Sequence, residues 1–422
     1  MKVVNKSQKR KEKRLKEKKM KLVKQELAKI EDAKRVAKHI SNEDVVKKRQ
    51  VQESYKSNTI SSLNLVADNN GCGYYRIIWP MELLATNANL KVLNSFVHIT
   101  DFGVLKHMNS IRFQRQSDTT HCRMLDYYLQ ERERLGYKYR IQYEIDDLLP
   151  EIDPSNKIAY DYFKDKVKYN IECMNKVDAI TVSTNVLKDV YSNKYDIDAE
   201  KITVIENTLP RFLYNFNRRI SKQDFTNRKP RVMWSGSGSH VGENGDLDFI
   251  IPLVEKTLDK YNWVFQGTIP NSLKKYIDDG KVEFHGWQTT YNLPSFQMNV
   301  CKPDLFIGML KPSLFNSSKS NLKLLESSAL GVPFVGTSFD KDKSYQYDSR
   351  FTNKSPYDDT CATTIANGDV DEWISKIDEL LNDDNLYMSK VNEQYDMLQD
   401  KWMECPAVLE KWYNSIMLGK KS

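Results

Sequence analysis

The chain has 422 residues, 40% of them hydrophobic and 29% charged, enough for two to three domains with cores of their own. Six cysteines (Cys72, Cys122, Cys173, Cys301, Cys361, Cys405) without a CxxC pair, and six dispersed histidines without HxxxH or HExxH spacing, argue against a disulfide framework and give no metal site from ligand spacing. No run of eighteen apolar residues occurs and no apolar core follows the lysine-rich start, so neither a membrane span nor a secretory signal is expected and the chain reads as cytoplasmic.

The net charge of +7 is unevenly spread. Residues 1–60 carry 20 Lys and Arg against 8 Asp and Glu, a balance of +12, and the remainder carries 44 against 49, or −5. The basicity therefore belongs to an arm. Its first 20 residues are too charged to build a core, while Val23, Leu27, Ile30, Ala33 and Ala37 form a thin apolar stripe on a basic helix. Three readings stand for this arm: a solubilising tail, a nucleic-acid contact through residues 1–50 that gains affinity by releasing phosphate counterions, or a contact with an anionic membrane surface.

Residues 60–67 (ISSLNLVA) predict a first buried strand running into NNGCGYYRI. There Gly71 and Gly73 allow a sharp turn and close approach of a ligand, with Tyr74 and Arg76 at the start of a helix; a plain tight turn would look the same. A dinucleotide fingerprint is not satisfied, because Arg76 stands where its third glycine belongs. An apolar segment follows at 90–97, then a helix around 123–135. A strand over Ile141–Ile145 delivers Glu144, Asp146 and Asp147 at or beyond its C-terminal end, where open parallel sheets place their ligands. Asp146 and Asp147 are thus candidate acid/base groups, or else turn and helix-cap residues. After a helix to about Lys176, VDAITVST predicts a strand with Ser183 and Thr184 capping the next helix, and KITVIENTLP a last strand ending at Asn207.

Residues 211–229 are polar and basic and read as a connection. A second series then starts at RVMWSGSGSHVG, whose Gly236, Ser237 and Gly238 form another loop after a strand, and alternates strand and helix through VEFHGW, DLFIGML and PFVGTS. Two such series predict two parallel sheets, each covered on both faces, facing each other across a cleft. In the second, FNSSKSNLKLLESSALGVPFV (315–335) predicts a loop, a helix from about Ser320 to Leu330, a stop at Gly331 and a strand. Unpaired N–H groups at that helix start favour an anion, Lys319 and Lys323 add positive charge, and Glu326 can accept two hydrogen bonds from a vicinal diol. A solvated surface helix with weak Lys–Glu pairing has the same spacing. From about Val370 onward the chain reads as helical, with Trp373, Trp402 and Trp412 available to pack.

The order GxGxYR, EIDDLL, VDAITVST…VIENTL, MWSGSGSH…DLDFI, VEFHGW and FNSSKSNLKLLESSALGVPFV resembles nucleotide-sugar glycosyltransferases of the GT-B fold, most of all those of glycosyltransferase family 4, over residues 60–400. The resemblance implies two Rossmann-like, doubly wound α/β domains facing a cleft. The arm would be 1–59, an acceptor domain 60–225, a donor domain 226–395, and a C-terminal helix at 396–422 would pack back toward the first domain.

It further implies a nucleotide-sugar donor, UDP-linked, with no cofactor or metal required. Glu326 would bind the ribose, Lys319, Lys323 and the loop of Gly236, Ser237 and Gly238 would lie near the diphosphate, and Ser320 and His240 would be among the donor-binding residues. Trp287 would lie near the base, and Gly71, Gly73, Tyr74 and Arg76 would line the cleft from the first domain. Relatives with two glutamates eight residues apart have the first at 318, where this chain has Ser318; that leaves the sugar and the stereochemical outcome open. With the basic arm, the favoured acceptor is a hydroxymethylated base in DNA, as in phage-type members. The alternatives are surface polysaccharide or glycolipid synthesis, and a non-catalytic DNA-binding protein on the same fold.

Overall fold

A computed structural model describes residues 60–87, 90–214, 219, 221–240, 245–288, 293–341, 348–352 and 354–418; the basic arm, and the readings placed on it, lie outside the described residues. Two six-stranded parallel sheets make up the described chain. The first contains β1 (Ile60–Leu65), β2 (Leu90–Ser95), β3 (Ser110–Gln114), β4 (Arg140–Ile145), β5 (Ala179–Val182) and β6 (Ile202–Val204), in the order β2-β1-β3-β4-β5-β6. The second contains β7 (Arg231–Ser235), β8 (Asn262–Gly267), β9 (Val282–Gly286), β10 (Leu305–Gly308), β11 (Phe334–Thr337) and β12 (Thr363–Ile365), in the order β12-β11-β10-β7-β8-β9.

Central strands such as β4, β5 and β10 are buried along their whole length, as strands of a sheet covered on both faces must be; β5 and β10 are apolar runs, whereas β4 buries Arg140, Gln142 and Glu144 as well. In each sheet the winding reverses beside a central strand: between β1 and β3 in the first, between β7 and β10 in the second. Such reversals open a crevice at the C-terminal strand ends.

The helices used below are α1 (Trp79–Asn87), α2 (Thr119–Leu135), α3 (Lys157–Phe163), α4 (Val167–Lys176), α5 (Leu322–Leu330), α6 (Val370–Asn382), α7 (Asp384–Gln399) and α8 (Pro406–Ile416). α5 begins two residues later than the sequence suggests and ends, as expected, at Gly331 with φ of 67°. The segment before α1 is already helical from Gly71 and passes through a π turn at Tyr74–Ile78. Of the expected caps, Thr184 caps its helix by accepting from the Leu187 N–H, whereas Ser183 Oγ donates to the Asp146 carbonyl.

The chain crosses between the sheets twice, after β6 and after α7. The crossings run side by side: Leu209 N–H donates to Lys401 O (3.0 Å) and Met403 N–H to Leu209 O (2.8 Å). Beyond the second crossing, α8 packs Val408, Trp412 and Ile416 against Ile77, Met81 and Leu84 at the first sheet. Polar groups fix it there. Arg112 of β3 donates to Gln142 Oε1 (2.9 Å) and to Ser415 Oγ (2.7 Å), and Gln142 Nε2 donates to Ile416 O (3.1 Å).

Candidate active site

A cleft of about 450 Å³ lies between the C-terminal edges of the two sheets. From the second sheet it receives Ser235–Ser237 and His240 after β7, Gly267 after β8, Trp287 after β9, Leu310 after β10, and Lys319, Ser320, Lys323 and Glu326 at the start of α5. The start of α5 has no side-chain cap on its Asn321, so backbone N–H groups there face the cleft region without an internal carboxylate. Lys323 Nζ donates to Ser235 O (2.6 Å) and lies 5.3 Å from the Trp234 ring, which fixes the ammonium beside the β7–β10 reversal. Glu326 is only 9% exposed and accepts from Tyr214 Oη (3.0 Å), itself bonded to Tyr75 Oη (2.7 Å). Burial pushes the Glu326 carboxyl up, with Lys323 pulling the other way. This burial excludes the solvated surface helix that the spacing alone left open.

Close backbone approach is built into the same wall. Gly236 N–H donates to Gln266 O (3.0 Å), and Gly267 sits at φ 92°, where a Cβ would lie 2.2 Å from the Gly236 carbonyl. His240 Nδ1 meets Asp246 Oδ2 at 2.6 Å, and the other Asp246 oxygen accepts from Lys311 N–H (2.7 Å) and Asn316 Nδ2 (2.8 Å). Burial drives the His240 imidazole down against the pull of Asp246. Burial alone would raise Asp246, but the contact with His240 and the Lys311 N–H hold it below the usual carboxylate range. The ring is therefore an oriented, neutral hydrogen-bonding group at the cleft wall.

The first sheet contributes Asn69–Cys72, Tyr75, Arg115, Asp146, Asp147 and Asn207. Asp147 lies 3.4 Å from Arg115 and 3.7 Å from Lys319 across the cleft. Asp146 Oδ1 is buried without a partner among the described residues, and burial, then Asp147, raises its carboxyl. Neither side chain caps the following turn, whose N-cap is Leu148. Arg115 also pairs with Asp68 (2.6 Å) at a backbone φ of 45°, a left-handed conformation unusual for a long side chain. Cys72, Asp146 and Asp147 bring ligand-type atoms within 4.8 Å of one another, but Arg115 Nη1 stands 3.4 Å from both Cys72 Sγ and Asp147, so a cation already fills that corner.

Of the residues singled out in the sequence, the cleft thus brings together Gly71, Asp146, Asp147, Gly236, Ser237, His240, Trp287, Lys319, Ser320, Lys323 and Glu326. Four lie elsewhere. Gly73 packs against the chain itself, a Cβ there falling 2.0 Å from the Asp68 carbonyl. Tyr74 lies 5.2 Å from the Trp79 ring and donates to Asn69 Oδ1. Arg76 is 1% exposed, paired with Glu144 (2.7 Å) beneath the cleft. Gly238 opens a 3₁₀ turn and is not part of the lining. Sequence reasoning missed Tyr75, Tyr214, Arg115 and Asp246, which reach the site only through contacts distant in sequence; an acid following a Gly-Ser loop is the one local signal, for Asp246.

No protein-family model matches the sequence, and no curated protein sequence does. Solved structures do match in shape, and the fold they define is that of the GT-B glycosyltransferases. HepE of Anabaena in complex with UDP-glucose superimposes with a TM-score of 0.54 at 11% identity, over 85% of this chain and 99% of its own. An alpha-glucosyltransferase in complex with UDP-glucose and DNA containing an abasic site gives 0.53 at 10% identity, over 85% and 99%. The chain spans 55% of the length of S. aureus TarM, which matches 74% of this chain with a TM-score of 0.47 and 17% identity. Among the described residues no helix is long and apolar enough to cross a membrane.

Proposed function

We propose that the chain is a glycosyltransferase that moves a sugar from a UDP-linked donor to a hydroxyl group, acting in the cytoplasm on a hydroxymethylated base in DNA. The observation that carries the reading is the wall of the cleft at α5: an uncapped helix start, two lysines and, one turn on, a buried carboxylate. That order matches diphosphate followed by ribose. Breaking the sugar–phosphate bond builds negative charge on the leaving diphosphate, and Lys319, Lys323 and the α5 start are aimed where it develops. In the free protein Lys319 leans toward Asp147; an arriving diphosphate competes for it and leaves Asp147 held by Arg115 alone, with its other oxygen available to accept a proton or to orient a hydroxyl. The DNA acceptor is supported by the +12 arm and by the neighbour whose structure holds both UDP-glucose and DNA.

The test is to incubate the full chain with radiolabelled UDP-sugars and, separately, hydroxymethylcytosine DNA, unmodified DNA, an oligosaccharide and lipid vesicles. Label moving to the modified DNA alone is the expected result. Label on oligosaccharide or lipid assigns the acceptor elsewhere, and no transfer from any donor overturns the enzymatic reading.

A further inference from the structure

A second cavity, of about 290 Å³, opens at the C-terminal ends of β1, β2 and β3 and shares Arg115 with the cleft. Its walls are largely flat: Phe96, His98, His121, Tyr162 and Phe163. Phe96 and Tyr162 are 55% and 60% exposed, at a position where nothing in the described chain covers them. The polar groups are unequally satisfied. Asp68 is held by Arg115, and Asp118 accepts from the His121 N–H as the cap of α2. Gln116, 6% exposed, lines the cavity with its amide oxygen unpartnered among the described residues, and His98 Nδ1 is likewise buried and unpaired. A buried amide oxygen without a donor is a deficit that an N–H or O–H of a ligand would remove.

The rim adds charge. Over α3 and the start of α4 the sequence KIAYDYFKDKVKY interleaves lysines with aromatics, and Lys166 Nζ lies 3.3 Å from the Tyr162 ring centre, Lys168 4.8 Å from that of Tyr169. Aromatic platforms interleaved with ammonium groups are the pattern by which proteins hold a nucleic-acid strand, bases on rings and phosphates on lysines. Lys164 is already paired with Asp161 (2.9 Å), but Lys166 and Lys168 lie against tyrosine rings, and a neutral sugar would use the rings without engaging either ammonium.

Resting on the glycosyltransferase reading, we infer that this cavity is the acceptor pocket and that it takes a single nucleobase, unpaired from its partner strand, with an exocyclic N–H turned to Gln116 and the flanking phosphates on Lys166 and Lys168 at the start of α4. Arg115, which borders both the pocket and the donor cleft, pairs with Asp147 (3.4 Å), so a substituent on the base that reaches past Arg115 meets that carboxylate.

The test compares two single-stranded oligonucleotides of one length, one carrying a single hydroxymethylcytosine and the other an abasic site at that position, titrated against the full chain by fluorescence anisotropy. Phosphate contacts, those of the basic arm included, are the same in both and cancel. The base should improve affinity by about tenfold, within the range of one stacked base. Tyr162→Ala and Gln116→Leu should each abolish most of that preference while UDP affinity, measured by calorimetry, stays unchanged. Equal affinity of the wild-type chain for both strands overturns the pocket, as does a preference that survives Tyr162→Ala, an exposed position where truncation leaves the core intact. Transfer to an oligosaccharide that Tyr162→Ala suppresses would assign the pocket to sugar and overturn the nucleobase. Loss of UDP binding in the wild type would sink the donor reading alone, since the strand comparison needs no donor.

Discussion

At the scale of single residues, Glu326 is where burial and proposed role meet. Its carboxylate lies in a low-exposure wall with Tyr214 on one oxygen, and burial raises its proton affinity. The sign follows directly. A raised carboxyl takes up its proton at a higher pH than a free glutamate, and protonation removes acceptor capacity that a diol needs. UDP affinity should therefore fall as pH drops from 8 toward 5, and Glu326→Gln should weaken binding at pH 8 and flatten the profile. Calorimetric titration of UDP across that range checks it; a profile identical in wild type and variant removes Glu326 from the ribose role. Glu326 was legible in the sequence because its helix is bounded by a polar loop and a Gly-Val-Pro stop. Ser318 was legible only as a departure. In the structure it is 1% exposed, donates to Phe315 O (2.7 Å) and, through its carbonyl, accepts from Thr184 Oγ1 (2.8 Å), so the position ties the two sheets together instead of presenting a carboxylate.

Among elements, β3 shows what the apolar pattern hides. SIRFQ reads as polar because Arg112 and Gln114 belong to it, yet all five residues are buried. Arg112 is tolerated in the core since Gln142 and Ser415 take the N–H groups of its Nε and Nη2, and Trp412 lies 5.6 Å from its guanidinium, with Arg76 5.0 Å from the same ring; Nη1 has no hydrogen-bond partner among the described residues. The apolar runs of β5, β10 and β11 were plain in the sequence, while β4 (RIQYEI) shares the polar debt of β3 through Gln142 and Glu144, and β12, three residues long, gave no run to read. Because α8 holds the interior side of this polar core, Trp412→Ala should cost about 3–5 kcal/mol, the range for a deleted buried tryptophan. Denaturant unfolding measures it, and a loss below about 1 kcal/mol would mean that α8 is not integral to the first sheet.

For the molecule as a whole, charge and fold are separable. The two sheets and their cleft arise from residues with a balance of −5, so affinity for a polyanion has to come chiefly from the +12 of the arm and the lysine rim of α3 and α4. Removing residues 1–57 should lower affinity for duplex DNA and make the plot of log affinity against log salt shallower, while UDP binding persists. An unchanged salt slope would reduce the arm to a tail.

The paired crossings at Leu209 and Met403 also set how the halves can move. A single connecting strand is a swivel, with three rotations open to it. Two strands hydrogen-bonded side by side suppress twisting about their own length and sliding past one another, and leave one soft motion, flexing across the pair. The bridge at Leu209 thus favours flexing of the two halves over free rotation. Any closure of the donor wall on Asp147 would then follow a hinge path and not a swivel.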